Sequence, residues 1–233
     1  MTSRALILVN DPAEKRRDRV PGALLPALAR RDIDPHIVSL VGEPHTALDL
    51  AAYDLLVVMG SHESVNDPRV PWLAEELRLA ATAVERGMPS IGSCFGGQLL
   101  ARVRNGRVAR SRYPERGLTA VASDDSDLVP EGPWMQLHSD IFTMGPGAIE
   151  VARNASGPQA FVAGNVLGVQ FHPETTVDSF DSWVERWAAT GSLPDGGDGG
   201  PDVDALRREI AEHEQHTIRA CDRLVDTFCA RHL

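Results

Sequence analysis

At 233 residues, 42% of them hydrophobic, the chain is long enough to bury a sizeable core as one large domain or two small ones. A formal net charge of −10 argues against a nucleic-acid binder, which needs a basic face. Cys94, Cys221 and Cys229 form an odd set with no C-x-x-C spacing, which argues against a disulfide framework and a thiolate metal site. The apolar run in "MTSRALILVN" is too short for a signal peptide, and no later segment reaches membrane-spanning length, so a soluble protein of a reducing cytoplasm is expected.

In chain order, "RALILVN" (4–10) reads as a buried strand and "GALLPALARR" (22–31) as a helix with Pro26 in or near its first turn. "IDPHIVSLV" (33–41) and "YDLLVVMG" (53–60) are the next strands. "VPWLAEELRLAATAVERG" (70–87) is a helix: Trp72, Leu73, Leu77, Ala80, Ala81 and Val84 recur at helical spacing and Gly87 ends it. "MPSIGSC" (88–94) is a strand and "FGGQLLARV" (95–103) the helix after it. The order β-α-β-β-α-β-α predicts an α/β fold: a doubly wound, mainly parallel, flavodoxin-like sheet with helices on both faces, whose sites lie at the carboxyl ends of strands. The middle is richer in strands, at 118–125, 134–140, 148–155, 158–164 and 166–174, followed by a helix over 179–191. "GSLPDGGDGGPD" (191–202) reads as a flexible spacer. From Val203 on, Leu206, Ile210, Ile218, Cys221, Leu224, Val225, Phe228 and Cys229 mark one apolar stripe of a helix that docks on the domain or on a partner.

The chemistry centres on "GSCFG" (92–96). Cys94 has a bland reading as a small buried core residue. The alternative is a nucleophile exposed on a sharp strand-to-helix turn of the form G-x-nucleophile-x-G, with the helix N-terminus favouring thiolate. "GVQFHPE" (168–174) bears on the choice. His172 stands two residues before Glu174, so the carboxylate can hold one imidazole nitrogen while the other faces a thiol from another strand: a base with its orienter.

"GSCFGGQLLA" (92–101) resembles the G-x-C-x-G-x-Q segment of class I, triad-type glutamine amidotransferases, and "GVQFHPE" resembles their G-x-Q-F-H-P-E segment. The resemblance covers roughly residues 4–190, and "LHSD" (137–140) is similar to the branch that includes the glutaminase domain of GMP synthetase. It implies a catalytic domain over 1–190, with Cys94 as nucleophile, His172 as general base and acid, and Glu174 as orienter. It implies an oxyanion hole from the N–H of Phe95 and of Gly60 or Ser61, and a glutamyl group held by Gln98, Ser139 and Asp140. No metal or organic cofactor is required. Where the family commonly has Gly-Gly-Pro this chain has Gly60, Ser61 and His62, so the hole is formed differently or needs rearrangement.

His62 and Glu63 have two readings: contacts to the non-glutamyl part of a substrate, or a solvated loop pair. His138 reads as a structural histidine ahead of a second base. Tyr113 and Glu115 carry too little signal to assign.

The expected activity is cleavage of a γ-glutamyl amide through a cysteine thioester. The chain holds no Walker-type phosphate loop and no second catalytic domain. The small-molecule product would therefore pass as ammonia to a separate synthase subunit, or the chain is a stand-alone γ-glutamyl hydrolase. A catalytically silent binding protein on the same fold is the third reading. Oligomeric state is not legible.

Overall fold

The computed structural model describes residues 2–42, 48–191 and 202–233. The elements run β1 (Ser3–Val9), α1 (Glu14–Arg17), α2 (Leu24–Ala29), β2 (Ile33–Ser39), β3 (Leu55–Val58), α3 (Leu73–Glu85), β4 (Ser90–Ser93) and α4 (Phe95–Val103). They continue with β5 (Arg107–Thr119), β6 (Ala122–Ser123), β7 (Trp134–Thr143), β8 (Ile149–Asn154), β9 (Gly157–Ala163), β10 (Val166–Val169), α5 (Val177–Thr190) and α6 (Val203–His232). The main sheet has the order β2-β1-β3-β4-β10-β9-β8-β6. From β2 to β10 neighbours pair parallel. From β10 outward they pair antiparallel.

Alternation along β1 shows how the core is divided. Ala5, Ile7 and Val9 face a cluster with Leu24 and Leu28 of α2 and Leu224 and Phe228 of α6. Leu6 and Leu8 face the other side, with Leu79 of α3 and Leu99 of α4. A strand whose side chains are apolar on both faces must be covered on both, which is why its sequence reads as a continuous run. The doubly wound, mainly parallel sheet is therefore the architecture observed. A smaller cluster joins Phe180 and Trp187 of α5 to Leu206 and Ile210 of α6 and to Met135 of β7. The predicted apolar stripe of α6 is buried at Cys221, Leu224, Val225, Phe228 and Cys229, against the domain itself.

Several expectations shift. The strand expected over 118–125 is split: β5 ends at Thr119, and β6 holds only Ala122 and Ser123. The strand expected through Glu174 ends at Val169, and His172 makes only an isolated bridge to Met135. The long strand β5 and the short helix α1 were not foreseen. "RVARSRYPERGLT" lacks a clean alternation because β5 pairs with β7 in a separate two-stranded arm whose register shifts between Arg110 and Glu115. α5 begins at Val177 behind a Thr176/Ser179 capping box and stops at left-handed Gly191. The spacer expected over 191–202 lies, from 192 to 201, outside the described residues.

Candidate active site

Three adjacent strands deliver the site. Val58 of β3 lies beside Gly92 of β4, and Ser93 beside Val169 of β10. Gly60, Cys94 and His172 follow just past these three strand ends, at one carboxyl edge of the sheet.

Cys94 joins β4 to α4 at φ 49° and ψ −107°, a backbone state that L-residues avoid. It is held there by its N–H to the Val169 carbonyl (2.9 Å) and by its own carbonyl, which accepts from Gln98 N (3.0 Å). Gly96 permits the sharp turn: a Cβ there would stand 2.0 Å from the Val58 carbonyl oxygen, so no larger residue lets α4 settle so close to β3. Cys94 thus stands as the N-cap of a buried helix, at the end where the first N–H groups lack helical acceptors.

His172 arrives from β10 and is fixed by three contacts. Its N–H donates to the Met135 carbonyl (2.9 Å), its Nδ1 pairs with Glu174 Oε1 (2.8 Å), and its ring packs on Trp183 of α5 with centroids 4.7 Å apart. Glu174 accepts a second bond at Oε2 from the Ser93 hydroxyl (2.8 Å). His172, Glu174 and Cys94 are 6%, 1% and 4% exposed. Burial opposes a charge on His172, but the neighbouring Cys94 and Glu174, through charge and hydrogen bonds, outweigh it and raise the imidazole to about 10. The arrangement favours an imidazolium at His172, with Nδ1 on Glu174 and Nε2 left for the Cys94 side.

A cavity of about 300 Å³ opens over this set, at the small end of the range for ligand sites. Gly60, Ser61 and Gln98 line it, as do Ser139, Asp140 and the Cys94–His172–Glu174 group. Phe95 is buried beneath, its ring edge-on to Trp72. Among the described residues, the N–H groups of Gly60, Ser61 and Phe95 have no protein acceptor. Ser61 stays out of the left-handed region, so its side chain adds no backbone strain, and its hydroxyl donates to Glu63. Gly60 is the position that cannot grow: a Cβ there would lie 2.7 Å from His172 Cε1.

The Gln98 amide donates to the Asp140 carbonyl (3.0 Å), and the Ser64 hydroxyl donates to Asp140 Oδ2 (2.6 Å). Gln98 therefore shapes the cavity through the strand that carries Asp140. His138 is fully engaged: Nδ1 lies 3.1 Å from the Asp140 carbonyl, and Nε2 lies 3.1 Å from Gln136 Oε1 and 3.2 Å from Glu115 Oε2. Burial works against the Glu115 charge, but His138, Asn154 and Gln159 hold its carboxyl below the usual range. Glu63 is paired with Arg186 (3.2 Å) and stands 3.3 Å from His62 Nδ1. Partial burial and Arg186 push the His62 imidazole down against the pull of Glu63. Burial raises the thiols of Cys221, beyond the ordinary range, and of Cys229, to about 11.

Sequence reasoning missed Ser93, Trp183, Arg110 and Arg116. Ser93 had a weak signal, its place immediately before Cys94 at the end of a short strand. Trp183 had a weaker one, an indole on the helix following His172.

Residues 18–187 match the family Glutamine amidotransferase class-I. The chain belongs to the class I glutamine amidotransferase family. This amidotransferase is 31% identical over 183 residues to a glutamine-hydrolyzing GMP synthase of Aeropyrum pernix, covering 72% of this chain and 35% of that one. It thus spans about a third of the length of that relative. It is 28% identical over 155 residues to a protein of Sulfurisphaera tokodaii named as one subunit of a glutamine-hydrolyzing GMP synthase, covering 58% of this chain and 78% of the other. Its fold matches a glutamine amidotransferase of Thermotoga maritima with a TM-score of 0.82 at 21% identity, covering 98% of each chain. No helix among the described residues is long and apolar enough to cross a membrane.

Proposed function

We propose that this amidotransferase hydrolyses a γ-glutamyl amide through a thioester on Cys94, with glutamine as the parent substrate. The observation that supports the reading best is the contact set around His172: one nitrogen on Glu174, the other facing a strained, helix-capping cysteine. The Cys94 sulfur attacks the amide carbon, and the electron pair of the C=O moves to oxygen. That oxyanion meets the N–H of Phe95 and those of the Gly60–Ser61 loop. His172 gives its proton to the leaving nitrogen, the C–N bond breaks, and a thioester remains. Water then attacks the thioester while His172 takes a proton from it, and the thiolate leaves with glutamate released. Glu174, held at its far oxygen by Ser93, keeps the imidazole in one orientation throughout. Asp140 receives the α-ammonium of the glutamyl group.

Two destinations for the leaving nitrogen follow from this chemistry. Ammonia passed to a separate synthase is supported by the Sulfurisphaera tokodaii relative, whose name makes it one part of a larger synthase. Hydrolysis of a larger γ-glutamyl amide is supported by charged groups on the cavity wall, taken up below. The test is release of glutamate from glutamine by the wild type and by Cys94→Ala, with mass-spectrometric mapping of a glutamine-like diazo-ketone. We expect labelling at Cys94. Labelling at Cys221 or Cys229 instead would overturn the assignment.

A further inference from the structure

The walls of the cavity carry more fixed charge than a glutamine molecule can use. Glu63 is matched by Arg186 and Asp11 by Arg16. Glu174 is held by His172. Three charged lining groups remain without an opposite partner among the described residues: Asp140, Arg110 and Arg116. A γ-glutamyl group brings one ammonium and one carboxylate. Asp140 and Arg110 face each other across the arm in register, and together they match that zwitterion. Arg116 is left over.

Its position says what it is for. His172 must protonate the departing nitrogen, so the amine leaves on the imidazole side of Cys94. That side is walled by Trp183, whose indole packs on the His172 ring, and Trp183 joins Trp187 and Leu137 in one apolar cluster. Arg116 pairs in register with Leu137 across β5 and β7, and both line the cavity. Ammonia has no use for an indole wall ending in a guanidinium. An amino acid does: its side chain fits the apolar wall, and its carboxylate, one carbon from the scissile nitrogen, meets the arginine.

We propose that the substrate is a γ-glutamyl peptide, in which the leaving amine is an amino acid whose free carboxylate is bound by Arg116. The inference rests on the Cys94 amidase reading and names the substrate of that same site. The products are glutamate and the free amino acid. The bond broken is the γ-amide, and water supplies the hydroxyl and the proton.

The experiment compares kcat/KM of the full chain on glutamine, γ-glutamyl-phenylalanine and γ-glutamyl-phenylalaninamide. The two peptides differ only in whether the leaving group carries a carboxylate. We expect the acid to be preferred over the amide by at least about tenfold, the scale of one hydrogen-bonded charge pair. In Arg116→Leu that ratio should fall to about one, and Arg116→Lys should keep part of it. Arg110→Leu should slow acid and amide alike and leave the ratio in place, because its partner is the glutamyl end. Arg110 and Arg116 are both exposed, so the fold tolerates these changes. Cleavage of glutamine but of neither peptide overturns the inference and leaves the amidase reading standing. Equal rates on acid and amide, or an undiminished ratio in Arg116→Leu, overturn it as well. Cleavage of none of the three defeats the amidase reading and this inference together.

Discussion

The strand ends of the parallel sheet and the β5–β7 arm meet at one cavity but are built on different terms. Cys94, His172 and Gly60 leave β4, β10 and β3, each strand buried on both faces and each exit tied by backbone hydrogen bonds. The arm has two strands, a register shift between Arg110 and Glu115, and exposed arginines along it. Atoms that must meet within a fraction of an ångström sit where packing determines the backbone. In the proposed function, the groups that would meet a substrate by charge sit on the exposed, irregular arm.

That contrast is broken most directly at its strongest point. Cys94→Ala should reduce glutamate release by about 10⁵-fold, the scale of losing the nucleophile of a triad. Tyr113→Ala, in the middle of β5 where the register shifts, should change it by less than about twofold, since Tyr113 is 57% exposed. A Tyr113 substitution as damaging as the first would mean that the arm, too, is part of the reacting geometry. Next in size is Gly60→Ala. The new methyl must push the His172 ring aside, and a displacement near 1 Å costs about 10²-fold in rate. Thermal melting should change little beside that loss, because Gly60 lies at the cavity and not in the core.

The electrostatics of His172 sharpen the comparison through pH. Its folded value, about 10, lies above the unfolded one, which is about 6.5. The folded state therefore binds the proton more tightly. The resulting stability is fully present below about pH 6.5 and is lost as pH rises towards about 10. Urea midpoints of the wild type and His172→Gln should accordingly converge across that window. Midpoints that stay parallel from about pH 6 to about pH 10 would show an imidazole that is buried neutral.

The two regions were also unequally legible. The elbow and the histidine segment could be read because tight geometry leaves few choices of residue: Gly96 against Val58, or Glu174 within reach of His172. β1 and β3 could be read because strands covered on both faces here carry continuous apolar runs. The arm left no such trace. β5 is exposed on one side and shifted in register, so neither alternation nor a continuous apolar run marks it. Arg110 and Arg116 are two among many arginines until the β5–β7 pairing places them on the cavity. The reach of the β10 strand was misjudged for a related reason. The run "VLGVQFHPE" stays buried after the ladder ends, and burial alone does not show where pairing stops.

The smallest expected effect tests whether α6 belongs with the rigid region. No residue of α6 lines the cavity, yet Glu214 reaches across to accept the N–H of Val177 (2.7 Å), the first residue of α5. That places a carboxylate on the N-terminus of the helix that carries Trp183, just beyond the loop that holds Glu174. Glu214→Gln keeps the size and an acceptor oxygen but removes the charge that complements the helix end. We expect a loss of about 0.3–1 kcal/mol, seen as a fall in melting temperature of about 1–4 °C. The glutamate-release rate should change by less than about threefold, since His172 keeps its own bonds to Met135 and Glu174. A larger loss of rate than of stability would mean that α6 orients the imidazole through Trp183, and that helix would then have to be counted with the strand ends.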